Sequence, residues 1–211
     1  MKASNHMWQG VRAIAAAVAI TWVAGCGVIP KREPTAIFEP TRASATAHAE
    51  WPQAQWSLLV AKPAASAMLD SDRIAVRPQA GVITVYKASA WTDPAPDLVQ
   101  SALVRRFEDS GKILSVARPG SGVRGEYSLQ TELRVFESVY AAAGRPEAQV
   151  EIYAKLVKSS SGEVVAARTF RETEGAASEE IGSVVDAFGL ALNRSTDQIV
   201  AWTLESGNRK Q

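Results

Sequence analysis

Histidine, cysteine and paired carboxylates supply most acid–base, nucleophilic and metal chemistry, and this chain places few of them usefully. Its two histidines are His6 and His48, and its one cysteine is Cys26. His6 lies in an apolar N-terminal leader and His48 in a stretch rich in proline and alanine, where it reads as a solvated linker residue. A lone cysteine at the end of the leader excludes disulfides, CxxC redox pairs, Cys/His zinc sites and a thiolate nucleophile within the fold. Neither GxSxG nor SxxK occurs, and a serine nucleophile without histidine would need a lysine base. Asp70/Asp72, Glu108/Asp109, Glu172/Glu174 and Glu179/Glu180 have the pairing that a general acid and base require. Each sits near an element end or an exposed face and reads as solvated surface charge. No catalytic residue and no metal ligand is assigned.

Three further features could bind rather than react. Gly120-Ser121-Gly122-Val123-Arg124-Gly125 satisfies GxGxxG, whose glycines let a backbone approach a pyrophosphate at a helix N-terminus. The residues after Gly125 alternate as a strand and Pro119 belongs to a turn, so the dinucleotide reading fails on context. Trp91 has two readings, an exposed anchor for a partner or a ring closing the core beneath a helix. Arg105 and Arg106 are candidate contacts for a partner or for lipid headgroups, and a solvated helix face accounts for them equally well.

The elements that must position these residues are legible from period and turn chemistry. Strands are expected at Trp56–Val60, Arg73–Arg77 and Val82–Lys87. Asp93 offers an N-cap and Pro94 a first helical residue, opening a helix with Leu98, Ala102, Leu103 and Phe107 on one face that ends at Gly111. A short strand over Ile113–Ala117 precedes the glycine-rich turn. From Tyr127 to Val135 apolar and polar residues alternate, and Gln149–Lys158 repeats the pattern before a hairpin to Glu163–Arg171. A last helix is expected from near Ser178, with Glu179 and Glu180 in its first turn and Ile181, Val184, Val185, Phe188, Leu192, Ile199 and Trp202 as its stripe, broken by Ser195. The order β-β-β-α-β-β-β-β-α predicts an α+β fold of two layers, a largely antiparallel sheet with two helices on one face.

The chain has 211 residues, 46% hydrophobic and 21% charged, enough to bury one core. Lys2 and Arg12 flank an 11-residue apolar run, Ala13–Val23, followed by small residues, which is a signal-peptide pattern. As a helix the run would reach about 16 Å, half of a bilayer's hydrocarbon core. Removing the leader takes two of the 23 basic residues and none of the 22 acids, leaving −1. So balanced a charge gives no footprint for nucleic acid.

Val23-Ala24-Gly25-Cys26 resembles the lipobox of bacterial lipoproteins, with Val23 where leucine is commonest. The resemblance implies cleavage between Gly25 and Cys26 and a covalent lipid, palmitate among its acyl chains, on Cys26 as the sole prosthetic group. Two or more acyl chains hold a protein firmly on its membrane. Gly27 stands where an aspartate would favour inner-membrane retention in enteric bacteria, which implies the outer membrane, periplasmic face. The expected layout is a signal peptide over 1–25, a lipid anchor and flexible tether over 26–55, a folded domain over 56–205 and a disordered tail over 206–211. With 29 residues from Gly27 to Gln55, such a tether would span roughly 30 Å.

From Trp56 to Trp202 the chain resembles the ABC-type transport auxiliary lipoproteins, the PqiC-like family. The resemblance is carried by Leu69 through Pro78, by the Tyr-x-x-x-x-Trp-x-x-Pro stretch Tyr86–Pro94, and by Asp97-Leu98-Val99 with Ala102-Leu103. Tyr127 through Phe136, Val164 through Phe170 and the last helix continue it in order. It implies a non-enzymatic accessory protein that docks an MCE-type substrate-binding protein and an ABC permease and ATPase in lipid transport between envelope membranes. The chain has no GxxxxGK[ST] P-loop of its own. A tethered regulator of a cell-wall enzyme and a lipid-binding carrier are the alternatives, and a homo-oligomer stays open.

Overall fold

The computed structural model describes residues 34–42, 48–140 and 144–209. Among these residues nine strands and two helices run in the order β1 (Ala36–Phe38), β2 (Ala54–Val60), β3 (Ala64–Ala65), β4 (Arg73–Gln79), β5 (Val82–Trp91), α1 (Ala95–Ser110), β6 (Ile113–Ala117), β7 (Tyr127–Tyr140), β8 (Pro146–Lys158), β9 (Val164–Gly175) and α2 (Ile181–Asn208). The fold is α+β, with two helices on a large, mostly antiparallel mixed sheet that stays open rather than closing into a barrel.

β7 organises the sheet. One of its edges pairs with β8 antiparallel over nearly its full length, from Tyr127 opposite Lys158 to Tyr140 opposite Pro146. Its other edge takes three short strands in succession, all parallel: β2 at Tyr127–Leu129, β3 at Glu132–Leu133 and β4 at Glu137–Val139. The chain from Ala54 to Gln79 is thus one long strand broken twice. Where β2 ends, the Gln100 side-chain amide of α1 donates to the Val60 carbonyl at 2.9 Å, satisfying an acceptor that the break would orphan. β9 continues the antiparallel run on β8, β5 pairs antiparallel with β4, and β6 and β1 join in parallel.

Alternation produces the two faces. Along β8 every second residue from Pro146 to Leu156 is buried, and along β7 Leu129, Leu133 and Phe136 lie inside while Gln130, Glu132 and Arg134 face out. The inner face meets the helix stripes, Leu98, Leu103 and Phe107 of α1 and Val184, Phe188, Leu192 and Ile199 of α2. Rings knit the layers together. Trp91 at the end of β5 lies 5.7 Å from Phe136 and 5.2 Å from Phe188, and Phe170 of β9 lies 5.6 Å from Trp202.

Several expected boundaries shift for local reasons. Asp93 does not cap α1: Pro94, extended at ψ 142°, holds the N-cap without a side-chain bond, and its carbonyl accepts from Asp97 and Leu98. Two prolines at this turn have no N–H to satisfy. Gly111 ends α1 in the left-handed region. Glu179 and Glu180 precede α2 rather than filling its first turn, because the Ser178 hydroxyl accepts the Glu180 N–H and holds the chain extended there. The expected tail from 206 is helix through Asn208: Ser206 is buried, the Gly207 backbone lies against the Trp56 ring, and Trp56 Nε1 donates to Asn208 Oδ1 at 2.8 Å.

The stretch expected to be a flexible tether as far as residue 55 is packed on the domain wherever the structure describes it. Ala36–Phe38 pairs with Ser89–Trp91, Pro40 and Trp51 are buried, and Ala54 starts β2. Proline and alanine abolish periodicity without abolishing packing, so composition alone misreads this segment as linker.

Candidate functional site

The sequence candidates fall in three places. Gly25 and Cys26 lie outside the described residues. Trp91 is 2% exposed inside the ring cluster, so it closes the core and presents nothing to a partner. Arg105 and Arg106 both line a groove between α1 and α2, but only Arg105 is partly open to solvent.

Arg106 does internal work. Its Nε bonds Asp197 Oδ1 of α2, and its Nη2 lies 2.7 Å from His48 Nε2. A guanidinium can only donate, so His48 Nε2 accepts and its Nδ1–H donates to Glu50 Oε1 at 2.8 Å. The imidazole stacks on Trp51 at 4.0 Å and 7°, and the Arg106 guanidinium carbon lies 5.3 Å from the Trp51 ring. The presumed linker histidine is therefore a clasp joining the N-terminal segment to both helices. His48, Trp51 and Asp197 escaped the sequence reading; the bulky Trp51 amid small residues was the available signal.

A second stretch of the N-terminal segment forms the groove wall. The backbone of Thr41 crosses α2 at Gly189, where a Cβ would stand 2.8 Å from Thr41 N and O. Asn193 Nδ2 donates to the Thr41 carbonyl at 3.0 Å and Thr41 Oγ1 to Asp186 at 3.1 Å. The groove so enclosed has a volume of about 190 Å³, with Leu98, Ala102 and Leu192 as apolar floor and Arg42, Arg105 and Asp109 around it. Burial, then the neighbouring Arg42, hold the Arg105 guanidinium below its ordinary pKa.

The other motifs resolve into structure. Gly120 and Gly122 have φ of 87° and 82°, while a Cβ on Gly125 would sit 2.6 Å from the Leu59 side chain. Each glycine of the fingerprint answers a demand of the turn, and β7 rather than a helix follows it. Among the acid pairs, Asp70 shares Lys62 with Asp97 at 3.3 and 2.8 Å, and Glu172 and Glu174 bond Gln198 and Arg194 of α2. Among the described residues no cluster of His, Cys, Asp or Glu could hold a metal ion, and no helix is long and apolar enough to cross a membrane.

The family model of the ABC-type transport auxiliary lipoprotein component matches residues 38–200, from β1 through most of α2. The chain belongs to this family. The match starts at Phe38, within the stretch whose proline-rich composition predicts a tether. Among solved structures, this auxiliary lipoprotein component is similar to protein XCC0632 from Xanthomonas campestris, at 43% identity and a TM-score of 0.79 over 83% of this chain and 98% of that one. It also shares its fold with the hypothetical protein CT253 from Chlamydia trachomatis, at 10% identity and a TM-score of 0.53 over 74% of this chain and all of that one. A curated relative, an uncharacterized protein of Bradyrhizobium diazoefficiens, is 28% identical over 148 residues, which is 70% of this chain. The chain spans about two fifths of that relative's length, 39%.

Proposed function

We propose that this auxiliary lipoprotein component is a non-enzymatic docking subunit of an MCE-type lipid transporter, held by lipid on Cys26 at the periplasmic face of the outer membrane. The observation that carries the reading is the family match across 38–200, which takes in β2 to β9, α1 and most of α2. Two sequence features support it: the lipobox-like Val23-Ala24-Gly25-Cys26, and the absence of a P-loop, which leaves ATP hydrolysis to a partner subunit. Folding of the N-terminal segment onto the domain sharpens the geometry. Only the eight peptide steps from Cys26 to Pro34 precede the described domain, at most about 28 Å of extended chain. The domain then works close to its own membrane, and its partners must come to it.

Gentle detergent extraction of the full-length protein from its native membrane, affinity purification and quantitative mass spectrometry test this, with Cys26→Ala as control. Co-purification of an MCE-type protein or its permease with wild type, lost in the unanchored variant, is the expected result. Recovery of cell-wall synthases instead would replace the transport reading with the regulator.

A further inference from the structure

One guanidinium in the interhelical groove makes no direct ion pair among the described residues. Arg42 is paired with Glu39, Arg106 with Asp197 and His48, and Arg118 donates to the Ser101 hydroxyl at 3.1 Å. Arg105 makes no hydrogen bond, and has no carboxylate within 4.0 Å, among the described residues; Asp109, one turn further along α1, stands outside that distance. The segment between Arg42 and His48 is Ala-Ser-Ala-Thr-Ala, which contains no acid that could serve. A half-buried cation beside a void, with Arg42 and Arg118 near it and the Glu39 and Asp109 carboxylates nearby but not in contact, leaves its fork open to an anion from solution.

The shape of the groove narrows the class. Arg42 comes from the N-terminal segment and Arg105 from α1, so two cationic forks reach the groove from separate elements. A tetrahedral phosphate, with at least three acceptor oxygens and up to two negative charges, can engage both at once. The Arg42–Glu39 pair is largely exposed, so Arg42 can exchange partners at little cost. Leu98, Ala102 and Leu192 offer an apolar surface to whatever the phosphate is attached to. We propose that the groove between α1 and α2 binds a phosphate group, gripped by the Arg105 fork and supported by Arg42. The group could come as free phosphate or as a lipid headgroup. The inference rests on the groove alone and does not depend on the transport reading.

Calorimetric titration of the full-length protein in a neutral maltoside detergent tests it, using inorganic phosphate and, separately, glycerophosphoglycerol, a deacylated phospholipid headgroup. Saturable one-to-one binding of either probe is expected, weakened about tenfold or more in Arg105→Gln and less so in Arg105→Lys, which keeps the charge but loses the fork. Tighter binding of glycerophosphoglycerol identifies a headgroup site, and tighter binding of phosphate a free-anion site. The absence of saturable heat with both probes overturns the proposal, as does binding that Arg105→Gln leaves unchanged. Should Arg105→Gln fail to fold, as read by circular dichroism, the exposed Arg42→Gln replaces it. A several-fold loss then supports the site and an unchanged affinity overturns it.

Discussion

Tyr86 shows how one side chain in the family's Tyr-x-x-x-x-Trp-x-x-Pro stretch answers to its surroundings. Between the pairs Ala75–Val85 and Arg73–Ala90 the strand β5 carries more residues than β4, so Tyr86 to Ser89 bulge, and Ala88 adopts φ 49°. The bulge turns the Tyr86 ring onto the core, where its hydroxyl donates to Ser138 Oγ at 3.1 Å. Burial pushes the phenol up to about 12, with Tyr140 and Glu179 adding to the effect. The sign follows from the ordinary value near 10. Below pH 10 the phenol is neutral whether folded or unfolded. Between pH 10 and 12 the unfolded chain loses a proton that the folded chain keeps, so stability falls as pH rises. For a partly exposed ring the loss is about 1–2 kcal/mol. Urea unfolding at pH 9, 10 and 11 should show this decline in wild type and a flatter one in Tyr86→Phe; parallel declines would mean that Tyr86 is not the group responsible.

At the scale of elements, the N-terminal segment and α2 depend on one another through Gly189. A mid-helix glycine ordinarily costs about 1 kcal/mol against alanine, so Gly189→Ala would stabilise an isolated α2. In the fold, the added methyl would meet the Thr41 backbone, which cannot rotate aside as a flexible side chain can. The segment should therefore lift from α2, breaking the bonds from Asn193 to Thr41 and from Thr41 to Asp186. Limited trypsin digestion reads this directly. Cleavage after Arg42 should be several-fold faster in Gly189→Ala than in wild type, with the helical circular dichroism signal unchanged. Equal rates would show that the helix shifts instead of the segment.

For the whole molecule, the proposed docking role turns on the chain length between the proposed anchor at Cys26 and the domain. A 29-residue flexible tether would have let the domain roam, whereas the packed segment leaves the eight steps from Cys26 to Pro34. Inserting a flexible 20-residue Gly/Ser spacer after Gly27 relaxes that limit, adding an r.m.s. reach of roughly 25 Å. Cross-linking to the transporter partner recovered with wild type should fall several-fold in the spacer variant, while membrane fractionation stays as in wild type. Undiminished cross-linking would mean that closeness to the membrane plays no part in docking.

Period-2 alternation in β7 and β8, the 3.6-residue stripes of α1 and α2 and the turn chemistry of Gly111 and the glycine-rich loop were all legible in the chain, because local geometry and one-sided burial impose them whatever their neighbours. The α+β class, the two-layer arrangement and the family resemblance followed from these. What the chain could not disclose were its non-local pairings. That Ala54 to Gln79 forms a broken strand along one edge of β7, that Pro40 and Trp51 are buried, and that His48 clasps Arg106 all depend on partners tens of residues away. The groove belongs to the same class: Arg105 and Arg106 are adjacent in the chain and sit on one helix, yet Asp197 and His48 engage one and leave the other free. Only the packing of α1 against α2 and the N-terminal segment could decide which arginine was spent and which was available.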